Sequence, residues 1–224
     1  LRAAETPEVQ RLDLSSAVLT LEEWGVNDPL AFGWFEAPPR AQLESARALL
    51  ISLGALDARG AITELGRRML ALPAHPRLAR ILVEARASGD VSALRACAGA
   101  AALLGERDLF TRDLRAHQAH ESDIELRLEA LETAERLRFD RSLRDEGIDP
   151  IAARQTAATR DQLLRQAERL PSKGLDLSSH PQDLSEWLLL GFPDRVTRRR
   201  VAGDARGVMV GGRGIQLDPS SSVR

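Results

Sequence analysis

The sequence predicts a mainly α protein with a small β-hairpin among its first helices, a helical bundle after them, and the start of a β-rich segment at its end. Three observations predict this class. Apolar residues recur at steps of three and four along most of the chain, which is the period of amphipathic helices. Residues 55–62 form two short apolar runs around a glycine-containing turn. Residues 207–217 alternate like two strands joined by Gly-Gly-Arg.

The composition is that of a globular protein without a global preference for nucleic acid or membrane. The chain has 224 residues, of which 43% are hydrophobic and 29% charged. Its 31 Lys and Arg oppose 33 Asp and Glu, so any basic surface must be local. Cys97 is the single cysteine, which excludes an internal disulfide and fits a reducing, cytoplasmic location. The longest uncharged run, residues 96–105, is too short to cross a bilayer, so no membrane partner is expected.

The first part of the chain has the order helix, helix, hairpin, helix, which is the order of a winged-helix module. The tripeptide Thr-Pro-Glu at residues 6–8 predicts the start of the first helix, and Gly25 predicts its end. The second helix follows Pro39, and the hairpin covers residues 55–62. The first helix is expected to bury one stripe, made of Leu14, Val18, Leu21 and Trp24.

Residues 62–85 predict a helix, a proline-rich corner and a second helix. Thr63 can cap the first of these helices, and Pro73 stops it. Pro76 suits the first turn of the next helix, whose apolar residues begin at Leu78. This unit therefore connects the segments of the chain on its two sides.

The next segment is typical of a helical bundle. The run Cys-Ala-Gly-Ala-Ala-Ala at residues 97–102 offers a face of small residues that lets another helix approach closely, so Cys97 is interpreted as a core residue. Ser122 and Glu125 form a capping box, and Asp149-Pro150 starts a further helix.

The end of the chain carries its one dense basic cluster. Leu184, Trp187 and Leu188 are expected to dock a helix, and the sign of the charge changes after it. We interpret this region as a basic helix followed by a β-hairpin that opens a β-rich domain. Between residues 190 and 214 two aspartates face six arginines, Arg195, Arg198, Arg199, Arg200, Arg206 and Arg213, for a net charge of +4.

Motifs for catalysis or metal binding are missing or incomplete in the sequence. Lys173 is not preceded by the glycine that a phosphate-binding Walker A loop requires. His117 and His120 have the spacing of metal ligands but no cysteine or third placed ligand beside them, so a solvated loop is favoured over zinc. The sequence therefore predicts no catalytic residue, no metal and no cofactor in this chain.

Long segments of the chain resemble the helicase-associated region of DEAH-type RNA helicases. The resemblance rests on TPEVQRLDLSSAVLTLEEWGV, on the run from EAPPRAQLES to ARILVEA, and on CAGAAALLGERD. LLLGFPDRVTRRR and GGRGIQLDP resemble the bacterial HrpB branch in particular. The likeness is strongest over residues 6–108 and 188–218 and weak over residues 109–183.

The resemblance implies three parts and a longer parent protein. Residues 1–72 would be the winged helix, residues 73–190 a ratchet-like helical bundle, and residues 191–224 the start of the HrpB C-terminal domain. The parent would be an ATP-dependent RNA helicase whose RecA-like motor domains bind ATP and Mg²⁺. The missing initiator methionine also indicates a piece of a longer chain. This piece would be the accessory half that closes one side of the RNA channel.

RNA contact is expected through arginine and phosphate. The six C-terminal arginines are the first candidates, although the same cluster would also suit docking on an acidic surface of the parent. Arg77 and Arg80 are the second candidates, and for them a structural role is favoured. Pro73 and Pro76 are predicted to form a joint that fixes the bundle relative to the motor.

Two functions from other classes stay open. The first is a winged-helix regulator that binds DNA. The second helix argues against this function, because Glu44 offsets Arg40 and Arg47 and the helix is not strongly basic. The second is a scaffold that only binds other proteins.

Overall fold

The computed structural model describes residues 13–26, 28–111, 120–175 and 181–223. Within these ranges the chain is mainly helical with one small antiparallel sheet, so the predicted fold class is confirmed. The predicted helix start at residues 6–8 lies outside the described residues. The helices are α1 Ser15–Glu23, α2 Arg40–Ser52, α3 Glu64–Leu70, α4 Pro76–Ser88, α5 Val91–Gly105, α6 Asp123–Arg136, α7 Pro150–Glu168 and α8 Leu184–Gly191.

Helix α1 begins at Ser15, whose amide donates to the Asp13 carboxylate at 2.7 Å. Its apolar stripe packs as predicted at Leu14, Val18 and Leu21, which are all buried. Trp24 is a correction, because 70% of it is exposed. The helix ends at Glu23, so Trp24 lies at its C-cap, beyond the turn that faces the core.

The winged-helix hairpin is shorter than predicted. Leu56 and Ile62 form one antiparallel bridge instead of two strands. The Asp57 carboxylate accepts hydrogen bonds from the amides of Arg59 and Ala61, and Gly60 has a φ of +90°. The turn is therefore closed by a side chain, and few residues are left to extend the ladder.

The proline corner connects α3 to α4 as predicted. Thr63 caps α3 by accepting a hydrogen bond from the Gly66 amide at 3.0 Å. Pro76 is the first residue of α4, where its missing amide hydrogen costs no helical hydrogen bond. The cap of α4 is His75, whose Nδ1 accepts from the Arg77 amide at 3.3 Å.

The first of two hydrophobic clusters crosses the corner. Met69 and Leu72 before the prolines share it with Ile81 and Leu82 after them. It also takes residues from α1, α2, α5, α7 and α8, including Trp187. The winged helix and the first part of the bundle are consequently packed around one core.

The second cluster joins the end of α5 to α6 and α7. The small face of α5 permits this packing, since a Cβ at Gly99 would lie 2.6 Å from Leu128 Cδ2. Cys97 is fully buried, and its burial raises the pKa of the thiol to about 12. The interpretation of Cys97 as a core residue is confirmed.

The C-terminal sheet has three strands, β1 Thr197–Arg199, β2 Arg206–Met209 and β3 Gly214–Gln216, in the order β1-β2-β3. The hairpin of β2 and β3 agrees with prediction, and its turn uses positive φ at Gly211 and Gly212. The basic helix is a correction. Helix α8 ends at Gly191, Pro193–Arg195 form one 3₁₀ turn, and the arginines continue on a strand.

The sheet stands apart from the hydrophobic clusters, because none of its described residues belongs to either one. In the described part of the chain, no helix combines the length and the apolar composition that spanning a membrane requires.

Candidate nucleic-acid interface

The register of the sheet divides the predicted arginine cluster between two faces. Arg198 pairs with Val208 and Arg199 with Gly207, so Arg198 and Arg206 share one face while Arg199 lies on the other. Arg195 lies on the 3₁₀ turn before β1, Arg200 just after β1, and Arg213 at the turn between β2 and β3. The structure brings these side chains to one small sheet but not to a single surface.

Most of the cluster is open to solvent, and two of its charges are shared with neighbouring aspartates. Arg195 contacts Asp194 at 3.4 Å and Arg206 contacts Asp204 at 3.2 Å. Hydrogen bonds from Arg206 lower the pKa of the Asp204 carboxyl, which keeps it ionised. The other four arginines form no ion pair within the ranges that the structure describes, so their charge is available to a ligand.

Arg77 is buried and is used internally. Its Nη1 donates to the Gly191 carbonyl at 2.9 Å, and its two terminal nitrogens bind both Asp194 oxygens at 2.6 and 2.9 Å. The guanidinium also lies 5.3 Å from the centroid of the Phe192 ring. We call this set of contacts the entry clasp, because it holds the chain where it leaves α8 for the sheet.

Arg80 is also directed inward. It donates to the Leu53 carbonyl at 2.8 Å and pairs with Glu84, whose side chain is 7% exposed. Burial lowers the pKa of the Arg80 guanidinium and raises that of the Glu84 carboxyl, although each group partly offsets the effect on the other. This pair joins the end of α2 to the middle of α4, so its geometry is that of a structural contact.

A second clasp holds the chain beyond the sheet. The Asp123 carboxylate, at the start of α6, accepts from the Ser222 amide at 2.7 Å and from the Ser221 and Ser222 hydroxyls at 2.6 Å each. The His120 amide donates to the Ser222 carbonyl at 3.1 Å. Burial tends to raise the pKa of Asp123, but the serine hydrogen bonds outweigh it and lower the pKa. We call these contacts the exit clasp.

Sequence reasoning missed both clasps, for a physical reason. Each contact joins residues about a hundred positions apart, whereas helix periodicity reports only on neighbours within a few turns. The one local signal is Asp194, an acidic residue directly before the arginine cluster. A count of charges registers Asp194 only as a lower net charge and does not indicate that it binds Arg77.

A serine, a histidine and an aspartate meet at the corner without forming a catalytic triad. His75 Nε2 lies 3.2 Å from the Ser15 hydroxyl and 3.5 Å from Asp13. Both contacts use the same ring nitrogen, while Nδ1 accepts from a backbone amide. A triad needs the acid and the nucleophile on opposite nitrogens, so these groups serve to tie the start of α1 to the start of α4.

The histidine pair considered for zinc is only partly described, since His117 lies outside the described residues. His120 Nδ1 accepts from the Ser122 amide at 3.0 Å, and Nε2 lies 3.6 Å from Glu129. Among the residues that the structure describes, no three histidine, cysteine, aspartate or glutamate side chains are grouped so that they could hold a metal ion.

Comparisons with known proteins point to one kind of helicase region. Residues 46–74 match the model of the helicase-associated domain (HA2), winged-helix. Over 86 residues, 38% of this chain, the sequence is 42% identical to the probable ATP-dependent RNA helicase DHR2 of Saccharomyces cerevisiae. Over 77 residues, 34% of this chain, it is 40% identical to the pre-mRNA-splicing factor ATP-dependent RNA helicase prp22 of Schizosaccharomyces pombe. These matches cover 12% and 7% of the two relatives.

Two solved structures are similar over almost the whole chain. A crystal structure of the Escherichia coli DExH-box NTPase HrpB matches 98% of this chain with a TM-score of 0.65 and 28% identity. A crystal structure of the Escherichia coli DEAH/RHA helicase HrpB matches 98% with a TM-score of 0.61 and 26% identity. This chain spans 22% and 23% of the lengths of those chains.

Proposed function

We propose that this chain, a winged-helix helicase-associated region of the DEAH/RHA type with the fold found in HrpB, is the accessory, non-catalytic part of an ATP-dependent RNA helicase. In this role it closes one side of the RNA channel and couples the motor domains to the strand. The RecA-like motor domains of the parent bind ATP and Mg²⁺ and are its intramolecular partners.

One observation carries the proposal. The similarity to HrpB extends over 98% of the chain at 28% identity, so it includes the bundle and the C-terminal sheet as well as the winged helix. A winged-helix module alone would be compatible with many DNA-binding proteins. The continuous match in one order along the chain favours a helicase-associated region instead.

The RNA-contacting surface of this proposal is the C-terminal sheet. Arginine neutralises phosphate through two parallel hydrogen bonds, and a solvent-exposed guanidinium can do so without first breaking an internal contact. Arg198, Arg200 and Arg213 satisfy this condition in the described structure, Arg199 is half-buried, and Arg195 and Arg206 are largely exposed beside their aspartates. Such contacts hold the backbone of a strand and do not read its sequence.

Arg77 and Arg80 are placed differently in the proposal. Since both guanidiniums bind internal acceptors, we assign them to the frame that supports the surface. The corner at Pro73 and Pro76 remains a proposed joint to the motor, and the single core that crosses it makes the joint stiff.

The experiment measures binding of a fluorescent single-stranded oligouridylate to this chain by anisotropy at several salt concentrations. The variant replaces all six C-terminal arginines with alanine, and we expect binding to weaken by at least about tenfold at low salt. Each phosphate contact on a single strand contributes about 0.7 to the slope of log affinity against log salt, so the slope should become shallower by up to about 4.

A matched control removes the same charge elsewhere. It replaces six exposed arginines of the hairpin and bundle with alanine, namely Arg59, Arg95, Arg141, Arg144, Arg165 and Arg169. Equal loss of affinity in the control and the test variant would show that net charge matters and that the sheet is not the site. ATP hydrolysis by the purified chain, or sequence-selective binding to duplex DNA, would contradict the accessory role itself.

A further inference from the structure

An apolar groove lies on the bundle next to the sheet, and Arg195 is the one residue that it shares with the proposed contact to RNA. It runs between the end of α5, the start of α6 and one side of α8, and its volume is about 320 Å³. The lining residues are Leu104, Ile124, Ser185, Leu188, Leu189, Phe192, Arg195 and Val196.

The groove exposes aliphatic side chains that a soluble surface normally covers. Leu104, Leu189 and Val196 are 45%, 47% and 49% exposed. They come from three separate parts of the chain and meet at one place, so they form a patch and not scattered single residues. Removing such a patch from water is favourable by about 25 cal/mol for each Å² buried.

The chemistry of the lining favours protein over nucleic acid. Bases bind single-strand sites by stacking on the faces of aromatic rings. Among the lining residues that the structure describes, Phe192 is the one aromatic residue, and the Arg77 guanidinium lies over its ring at 5.3 Å. The remaining apolar residues are leucine, isoleucine and valine, which complement the aliphatic or aromatic side chains of a protein segment.

The charge beside the groove indicates the sign of that segment. Of the eight lining residues within the described ranges, Arg195 alone is charged, and its side chain is 57% exposed. The Val210 amide donates to the Val196 carbonyl, so the extended ladder includes Val196, and the alternation of a strand places Arg198 on the same face. The groove therefore leads from an aliphatic surface to Arg195, whose charge is shared with Asp194 at 3.4 Å, and to Arg198.

We propose that this groove binds an acidic amphipathic segment of a partner protein. Apolar side chains of the segment enter the groove along Ser185, Leu188 and Leu189 of α8 and along Phe192 directly after it, as in other complexes of a helix with a groove. Carboxylates at one end of the segment pair with Arg195 and Arg198. This inference goes beyond the accessory role in RNA handling, although Arg195 and Arg198 also belong to the proposed RNA-contacting surface, and peptide binding does not require RNA.

The test uses a fluorescein-labelled helical peptide of about 16 residues, with leucines at i, i+3, i+4 and i+7 and glutamates on both flanks. Its affinity for this chain is measured by anisotropy and compared with that of a peptide in which lysine replaces every glutamate. We expect the glutamate peptide to bind at least about tenfold more tightly. Leu189→Glu should weaken it by about tenfold or more, and Arg195→Glu should reverse the preference between the two peptides.

Val91→Glu is the matched control, since Val91 is exposed on α5 and is not among the residues of the groove. It should leave peptide binding unchanged. Circular dichroism establishes that each variant is folded, and Val196→Glu replaces Leu189→Glu if the latter is not. Equal binding of the two peptides, or no binding of the glutamate peptide at about 1 mM, would overturn the proposal. So would a loss of oligouridylate binding in Leu189→Glu with no change in peptide binding, which would assign the groove to RNA.

Discussion

The proline corner and the C-terminal sheet both carry arginines, yet the two regions hold them in opposite environments. At the corner, Arg77 and Arg80 lie in the protein with 11% and 14% of their side chains exposed and bind acids and carbonyls. On the sheet, Arg206 is 73% exposed, and its partner Asp204 is two residues away. The corner is built into a core, and the sheet lies outside both hydrophobic clusters of the described residues.

The difference teaches that charge along the sequence does not identify a binding surface by itself. A buried arginine has been taken out of water and is compensated by fixed partners, so removing it leaves an acid without its counter-charge. An exposed arginine keeps its hydration and loses little when it exchanges water for phosphate. Substitutions in the two regions should therefore affect different quantities, stability for the corner and ligand binding for the sheet.

The largest effect on stability is expected from Arg80→Met. The substitution keeps much of the side-chain volume but leaves the buried Glu84 carboxylate unpaired, which should lower the free energy of unfolding by about 2–4 kcal/mol. Urea denaturation followed by circular dichroism measures this loss. Arg40→Met removes an exposed i,i+4 pair with Glu44 and should change stability by less than about 0.5 kcal/mol. Similar losses of unfolding free energy in Arg80→Met and Arg40→Met would mean that the buried ion pair at the corner contributes no more to stability than an exposed one.

A smaller effect is expected at the entry clasp, because Asp194 is 45% exposed. Arg77→Ala should lower the free energy of unfolding by about 1–3 kcal/mol, and Asp194→Asn should lower it less. A double-mutant cycle between the two positions should give a coupling of about 1 kcal/mol. A coupling of zero would mean that Arg77 acts only through its packing against Phe192.

The entry clasp also predicts the direction of a pH dependence. Hydrogen bonds from Arg77 hold the pKa of the Asp194 carboxyl below its ordinary value. Its contribution to stability is then fully present above the unfolded pKa of about 3.9 and is lost as the pH falls through the lower folded pKa. Asp194→Asn should therefore lower stability at neutral pH and make it less sensitive to acid. If urea titrations show that the free energy of unfolding of Asp194→Asn falls with acid as steeply as that of the unsubstituted protein, this assignment is contradicted.

The smallest effect is expected at the exit clasp. Ser222→Ala removes one hydroxyl from Asp123 but keeps the hydrogen bond from the backbone amide, so we expect a loss of about 1 kcal/mol or less. Amide hydrogen exchange of the sheet should speed up more than that of α4 and α5. An equal increase in the exchange rates of all helices and strands would show that the exit clasp does not hold the sheet separately from the bundle.

Local signals predicted the helical part of the fold well. Thr63, Ser122, Asp149 and Pro76 each act within one helical turn, and the structure places all four at helix starts. The small-residue face of α5 was also predictable, because the absence of large side chains directly permits another helix to come close.

Features decided by distant contacts could not be predicted in the same way. A run of arginines fits an exposed helix or an exposed strand equally well. Because α8 ends at Gly191, the arginines after it lie on a 3₁₀ turn and a strand and not on a helix. A Cβ at Gly191 would lie 2.5 Å from the Arg77 carbonyl, so α8 ends where it presses against α4. For the same reason the sequence did not show that Arg77 and Asp194 neutralise each other.

The position of the sheet outside the hydrophobic clusters has a consequence for how the protein can evolve. Apart from Gly207, where a Cβ would lie 2.5 Å from Thr197 Cγ2, its residues escape the demand for matching volumes that constrains α5 and α8, where a methyl group added at Gly99 or Gly191 would collide. Mutations at the exposed positions of residues 197–216 that are not glycine can therefore be selected for surface chemistry with little cost in folding. One helical frame could in this way carry a series of sheets with different charge patterns, each adapted to its own ligand.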